Sequence, residues 1–159
     1  TNFHYGKNNF DKALHYINKA LNIDGENPLY WKKCAKIHMA LKNYDQADFS
    51  FKQVVELGNY ELDTWLQWSD AVHTNGDTTG ALQILAQGQE FYPKNLRIAY
   101  KTVGYYLYLK DTINARIAML DALKMDKKHK HLSIFTSQFP EYSDSEWIKA
   151  ILADYKKAS

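Results

Sequence analysis

The sequence predicts an all-α protein built from consecutive helical hairpins, and three observations carry that prediction. The first is register: Ala13, Ala47, Ala81 and Ala115 follow one another at a constant spacing, 47 − 13 = 34 residues, and Trp31 and Trp65 keep the same step. The second is period, because the apolar residues between these marks recur at intervals of three and four, as one face of an α-helix requires. The third is punctuation. The three prolines stand at positions 28, 93 and 140, each at an expected element boundary, and a proline inside a helix costs about 3 kcal/mol.

Residues 1–27 are expected to form an incomplete first unit, with residues 1–8 supplying part of a first helix. There "NFDKAL" opens a second helix with Phe10 at the turn, as "NYDQAD" does at residues 43–48. The second unit, residues 28–61, places Trp31, Cys34, Ala35, His38 and Leu41 on one helix and Tyr44, Ala47, Phe51, Val54 and Val55 on the next. The polar junction at Asn43 is short, so the two helices lie antiparallel, and Gly58 stops the second. The third unit, residues 62–95, turns at Asn75-Gly76-Asp77 and ends at Pro93. The fourth, residues 96–129, turns at residues 110–112 and carries Ala115, Met119 and Ala122 on its second helix.

Residues 130–159 depart from the pattern. "HKHLSIFTSQF" reads as a short amphipathic segment, and Ser143 with Glu146 has the spacing of a capping box ahead of Trp147, Ile148, Ile151 and Leu152. An array of hairpins exposes the apolar face of its last member unless something covers it, so residues 144–157 are expected to be that cover. No corresponding cover precedes the first unit. The open N-terminal end is therefore expected to meet absent residues or a second copy, and the start without Met, in mid-pattern, reads as a piece of a longer protein.

Composition narrows the function classes. With 45% hydrophobic residues the chain is expected to fold. Its 20 basic and 18 acidic side chains, net charge +2, do not make the continuous basic stripe of a nucleic-acid-binding protein. No apolar run reaches the roughly 20 residues that span a bilayer, and the single cysteine, Cys34, forms no internal disulfide, which makes the cytoplasm the expected compartment.

The search for chemistry returns structural explanations. The seven glycines form no phosphate-binding loop. His129 and His131, two residues apart, point to different faces of a helix and are flanked by lysines, so this stretch reads as a solvated basic connector rather than a metal site. Cys34 and His38 share the apolar stripe of Trp31 and Leu41, where a thiol packs as a small hydrophobe. No catalytic residue, cofactor or metal is expected. Tyr100, Tyr105, Tyr106 and Tyr108 crowd one helix, more aromatics than a single buried face uses, so some of them are expected to face a groove or solvent.

On these residues the chain resembles the tetratricopeptide-repeat family, whose 34-residue helix–turn–helix units carry an early aromatic, small residues at the helix crossing and a proline near the end. Trp31 and Trp65 match the early aromatic and Ala99 departs from it; Phe10 and Tyr44 match an aromatic at the turn, and Thr78 and Thr112 depart. The second small site reads Ala20, Val54, Gly88 and Ala122. The resemblance covers about residues 1–126. It implies a single domain over residues 1–159, a right-handed superhelical solenoid with a C-terminal capping helix, and a non-enzymatic scaffold that binds a peptide or protein surface in its concave groove. Alternatives are a non-catalytic segment of a larger enzyme or secretion-linked protein, or a homo-oligomerisation scaffold. It also implies that first helices line the groove, which would place Lys32, Lys36, Leu66, Gln67, Arg97, Tyr100, Lys101 and Tyr108 in contact with a peptide. Some members hold a partner's C-terminal carboxylate there, and Lys32, Lys36, Gln67, Arg97 and Lys101 fall at the corresponding positions, with Lys36 and Gln67 standing where asparagine is usual.

Overall fold

The computed structural model describes residues 2–158, with side chains at residue 6 and from residue 9 onward. Among them are ten helices and no strand: α1 Asn2–Ile23, α2 Pro28–Ala40, α3 Tyr44–Glu56, α4 Leu62–Thr74, α5 Thr78–Phe91, α6 Leu96–Tyr108, α7 Thr112–Met125, α8 Lys130–Gln138, α9 Pro140–Ser143 and α10 Glu146–Ala158. The chain divides into two compact units, Thr1–Phe91 and Tyr92–Ser159. None of the described helices is long and apolar enough to cross a membrane.

The 34-residue step is a property of the backbone. First helices start at residues 28, 62 and 96 and second helices at 44, 78 and 112. Each intervening turn is built alike. Lys42, Gly76 and Lys110 hold left-handed backbone, with φ of 60°, 97° and 60°. Behind them the amides of Asn43, Asp77 and Asp111 donate five residues back, to His38 O at 2.8 Å, Val72 O at 3.1 Å and Tyr106 O at 2.9 Å. This is the Schellman closure, which satisfies the last carbonyls of a helix and reverses the chain in two residues. The carbonyls of the same three residues accept from the amides of Ala47, Ala81 and Ala115, each at 3.0 Å, and so start the second helix.

Those alanines are 0% exposed. Helices that pack 8–10 Å apart leave room for a methyl group at the closest approach and nothing larger. The second crossing is closed by Val54 and Ala122, also fully buried, and by Gly88, where a Cβ would stand 2.8 Å from Cγ of Trp65. The indole of Trp65 is 1% exposed, so the glycine makes space for a large aromatic that fills the wedge between α4 and α5.

In the first unit α1 packs on α2, α3 on α4, and α2 with α3 and α4 with α5 form the two hairpins. The turn expected near Phe10 is absent, because α1 runs unbroken from Asn2 to Ile23. A hairpin turn persists when the two helices it joins bury a common face, and here residues 2–8 continue the helix of residues 9–23 rather than folding back on it. Ala13, the fourth alanine in register, is accordingly only partly buried.

In the second unit α7 is covered on one side by α6 and on another by α10. Ile148 and Ile151, 4% and 0% exposed, join the core of Val103, Ala115, Met119 and Leu123, and Arg116 pairs with Asp154 at the edge. The C-terminal cover is thus a capping helix. Its N-cap differs from the expected box: Ser145 Oγ accepts from Ile148 N at 3.2 Å, while Ser143 Oγ donates to Pro140 O. Pro140 opens the short helix α9, which takes Ser143 into its own last turn.

Candidate functional site

The side chains proposed for partner contact stand on α2, α4 and α6. On α2, Lys32 and Lys36 are one turn apart and share a face. Lys36 is exposed. The side chain of Lys32 is 14% exposed and its Nζ meets the carboxylate of Glu61, the residue that precedes α4. The hydrogen bond and charge of Lys32 hold the Glu61 carboxyl below its ordinary range, and Lys36 adds to the effect.

Leu66 and Gln67 are adjacent on α4 but differ in setting. Leu66 is 3% exposed, packed into the hairpin core rather than presented at a surface. Gln67 is partly buried, and its carbonyl oxygen is enclosed without a hydrogen-bond partner among the described residues. On α6, Arg97 is exposed and Tyr108 is 64% exposed. The ammonium of Lys101 lies 5.7 Å from the ring centroid of Tyr105, within cation–π range. Tyr100 is 7% exposed, which removes it, with Leu66, from the surface expected of them. Of the four crowded tyrosines, Tyr100 and Tyr105 are buried, Tyr106 is partly buried and Tyr108 faces outward.

Burial of Tyr100 has a specific cause. Its hydroxyl donates to Asp126 Oδ2 at 2.9 Å, and the same carboxylate accepts from Leu132 N at 2.9 Å and Lys130 N at 3.1 Å. His131 stacks parallel on the Tyr100 ring and brings Nδ1 to 3.9 Å from Asp126 Oδ1. Burial raises the phenol further above its ordinary range, and the hydrogen bond to Asp126 and that carboxylate's charge act in the same direction. For Asp126 burial pushes the carboxyl up, but the amide of Leu132, the Tyr100 hydroxyl and His131 outweigh it and hold the group below the usual carboxylate range. The segment expected to be a solvated connector is therefore organised around a carboxylate that is 4% exposed.

Cys34 and His38 are packing residues. Burial raises the thiol, against a smaller opposing effect of the Ser50 hydroxyl, which donates to Sγ at 3.6 Å; burial also lowers the imidazole. Both shifts favour the neutral forms, the opposite of an activated thiolate–imidazolium pair. Among the described residues no group of three or more His, Cys, Asp or Glu is arranged to hold a metal ion.

Sequence reasoning missed Glu61 and Asp126. Glu61 had a signal, since the 34-residue step aligns it with Asn27 and Asn95, two strong helix-capping residues. Asp126 had a weaker one, a lone acid ahead of Lys127, Lys128 and Lys130.

Hairpins in strict register, closed by left-handed turns and crossed at fully buried alanines, define a helical-repeat fold of the tetratricopeptide type. Residues 33–58 match the family model described as tetratricopeptide repeat, and the fold recurs in solved structures of low sequence identity. The structure of MamA protein superposes with a TM-score of 0.68 at 17% identity, over 98% of this chain and 88% of that one. MamA residues 41 to the end from Desulfovibrio magneticus RS-1 gives 0.65 at 17%, covering 94% and 87%. YrrB, described as a TPR protein with an unusual peptide-binding site, gives 0.66 at 13%, covering 98% and 82%. Comparison with curated proteins found no significant sequence match.

Proposed function

We propose that this chain is a non-enzymatic interaction scaffold that holds a peptide or protein surface on the outer faces of its first helices. One observation carries the reading. The hairpin cores close on themselves through fully buried small residues, while the first helices keep Lys36, Arg97 and Tyr108 exposed. Lys32, Lys36 and Gln67 form the contact set of the first unit, and Arg97, Lys101 and Tyr108 that of the second, with Leu66 and Tyr100 setting the helices from behind. The description of YrrB as peptide-binding supports the same use of this fold. The partner is a protein or peptide and not a nucleic acid, because the basic residues of α2 are answered by acids such as Glu61.

Selection of a random displayed peptide library on the immobilised chain tests this. Recovered peptides are expected to share a pattern, and Lys36→Glu and Arg97→Glu, both on exposed helix positions, are expected to lose them with an unchanged helical spectrum. Failure of the library to converge, or binding indifferent to both changes, refutes it.

A second reading, self-association through α1, is favoured by the partial exposure of Ala13 where its three counterparts are sealed. Sedimentation at several concentrations separates the two readings, because peptide binding alone leaves the chain monomeric.

A further inference from the structure

Two of the three hairpin turns read Leu-Lys, at Leu41-Lys42 and Leu109-Lys110, and the turn between them reads Asn75-Gly76, since 41 + 34 = 75 and 75 + 34 = 109. All three close in the same way, with left-handed backbone at the second residue, so the joint itself does not require the exception. What Asn75 adds is a link between neighbouring joints. Its side-chain amide donates from Nδ2 to Oδ1 of Asp45 at 2.6 Å, and Asp45 lies in the first turn of α3. A leucine at the same place makes no such bond. Asp45 and residues 74–77 are all exposed.

Asparagine followed by glycine is also a reactive pair. The carboxamide carbon is an electrophile, and the next amide nitrogen can attack it when no side chain on that residue obstructs the approach. Glycine has none, and its backbone is the most permissive. In this step a bond forms between Gly76 N and Asn75 Cγ, the nitrogen gives its proton to water, the Cγ–Nδ2 bond breaks, and ammonia leaves behind a five-membered imide. Water then opens the ring at one of its two carbonyls. The product is aspartate, or isoaspartate with one extra methylene in the main chain. Water is the only other reactant.

The folded turn opposes ring closure at two points. The Gly76 amide donates to His73 O at 2.9 Å, and with ψ of 1° at Asn75 that nitrogen is turned toward the backbone nitrogen of Asn75 and away from its side chain. The side chain is in turn tied to Asp45. Reaction therefore needs rotation about ψ and release of the carboxamide. Nothing lies within 4 Å of the point a Cβ would occupy at Gly76, so no neighbouring element braces the turn against that local opening.

We propose that Asn75 is a site of spontaneous deamidation, that its hydrogen bond to Asp45 is the latch that slows the reaction, and that the product uncouples the α2–α3 joint from the α4–α5 joint. An aspartate at position 75 has no proton to donate and sets a second carboxylate against Asp45. An isoaspartate also lengthens the chain inside the closure that ties Asp77 N to Val72 O.

The test follows conversion at residue 75 by peptide mass spectrometry and enzymatic isoaspartate detection, in mildly alkaline buffer, for the folded chain and for the chain held in urea. The folded parent is expected to convert measurably but more slowly than the chain in urea. Asp45→Ala is expected to convert about two- to tenfold faster than the parent, the worth of one exposed hydrogen bond. Asp45→Asn keeps an acceptor for Nδ2 and should stay at the parent rate, and Gly76→Lys, which installs the residue of the other two turns, should suppress the reaction. Equal rates in the parent and Asp45→Ala overturn the latch, as does equal acceleration by Asp45→Asn, which traces the effect to charge at the start of α3. If the folded parent and Asp45→Ala both keep the amide while the chain in urea loses it, the turn is closed to this chemistry and the proposal fails. Asn75→Asp, the aspartate product, should speed amide exchange at Asn43 and Asp77, and unchanged exchange overturns the uncoupling.

Discussion

Replacing Asp126 with asparagine should loosen the second unit at one identifiable place. The carboxylate accepts three hydrogen bonds: Tyr100 OH and Leu132 N on Oδ2, and Lys130 N on Oδ1. An amide with its oxygen in the Oδ2 position keeps the first two as neutral bonds and turns its own N–H groups toward the amide of Lys130. Bonds to a charged acceptor contribute about 1.5–3 kcal/mol and neutral ones about 0.5–1.5. Two weakened bonds and one lost bond give a destabilisation of about 3–6 kcal/mol. Tyr100→Phe removes a single donor to the charged carboxylate and should cost about 1.5–3 kcal/mol. The double variant should fall short of the sum, because the two groups share a bond. The pH dependence has a fixed sign: the folded carboxyl lies below its unfolded value near 3.9, so its contribution is complete above about pH 4 and fades as the pH falls through the lower folded value. Asp126→Asn should flatten that part of the acid limb. Urea unfolding between pH 2.5 and 7, with amide exchange read at α8, measures both effects. A variant within about 0.5 kcal/mol of the parent, with unchanged protection of Leu132 and Ser133, would show that the buried carboxylate does not organise the segment.

Three further outcomes follow from the hairpins. Ala47→Leu should destabilise by about 1–3 kcal/mol through overpacking at a fully buried crossing, while Gln46→Leu, next to it but exposed, should change little; equal urea midpoints would contradict the register. Lys110→Gly should stabilise by about 0.5–1 kcal/mol by relieving left-handed backbone at φ 60°, and Gly76→Ala should cost about 1–2 kcal/mol; opposite signs in thermal unfolding would refute the turn geometry. Deleting residues 146–158 uncovers the α7 face that Ile148 and Ile151 seal and should give dye binding or aggregation, whereas a stable, monomeric truncation would make α10 a free tail.

Much of this architecture was legible because a repeat states each fact several times. Ala47, Ala81 and Ala115 fix the crossings, and the polar junctions at Asn43, Asp77 and Asp111 fix the turns. The first unit was misread for the complementary reason: "NFDKAL" has the letters of a joint, but a turn is held by the two helices it joins, and residues 2–8 extend α1 instead of packing back on it. Site residues were harder. Leu66 and Tyr100 were placed in the groove by the family resemblance, yet a position within a repeat does not distinguish a rim from a core when neighbouring helices cover both. Asp126 was hidden by its lysine-rich surroundings, since composition suggests solvent and only the fold brings the Tyr100 hydroxyl and the α8 amides to one carboxylate. Ser145 capped α10 in place of Ser143 because the intervening Pro140 spent Ser143 on a helix of its own.

The residue that ends each first helix also begins the second: Asn43, Asp77 and Asp111 donate backward with their amides and accept forward with their carbonyls. No residue in these turns is idle. Insertion or deletion of one amino acid there would disturb two helix ends at once and throw an alanine off its crossing, whereas copying or removing a whole 34-residue block leaves every joint intact. Lineages of this chain are therefore expected to vary in length by hairpins, and to take smaller insertions in the links between hairpins. Those links are where Glu61 and Asp126 stand, the two residues that most clearly give one repeat a character the others lack.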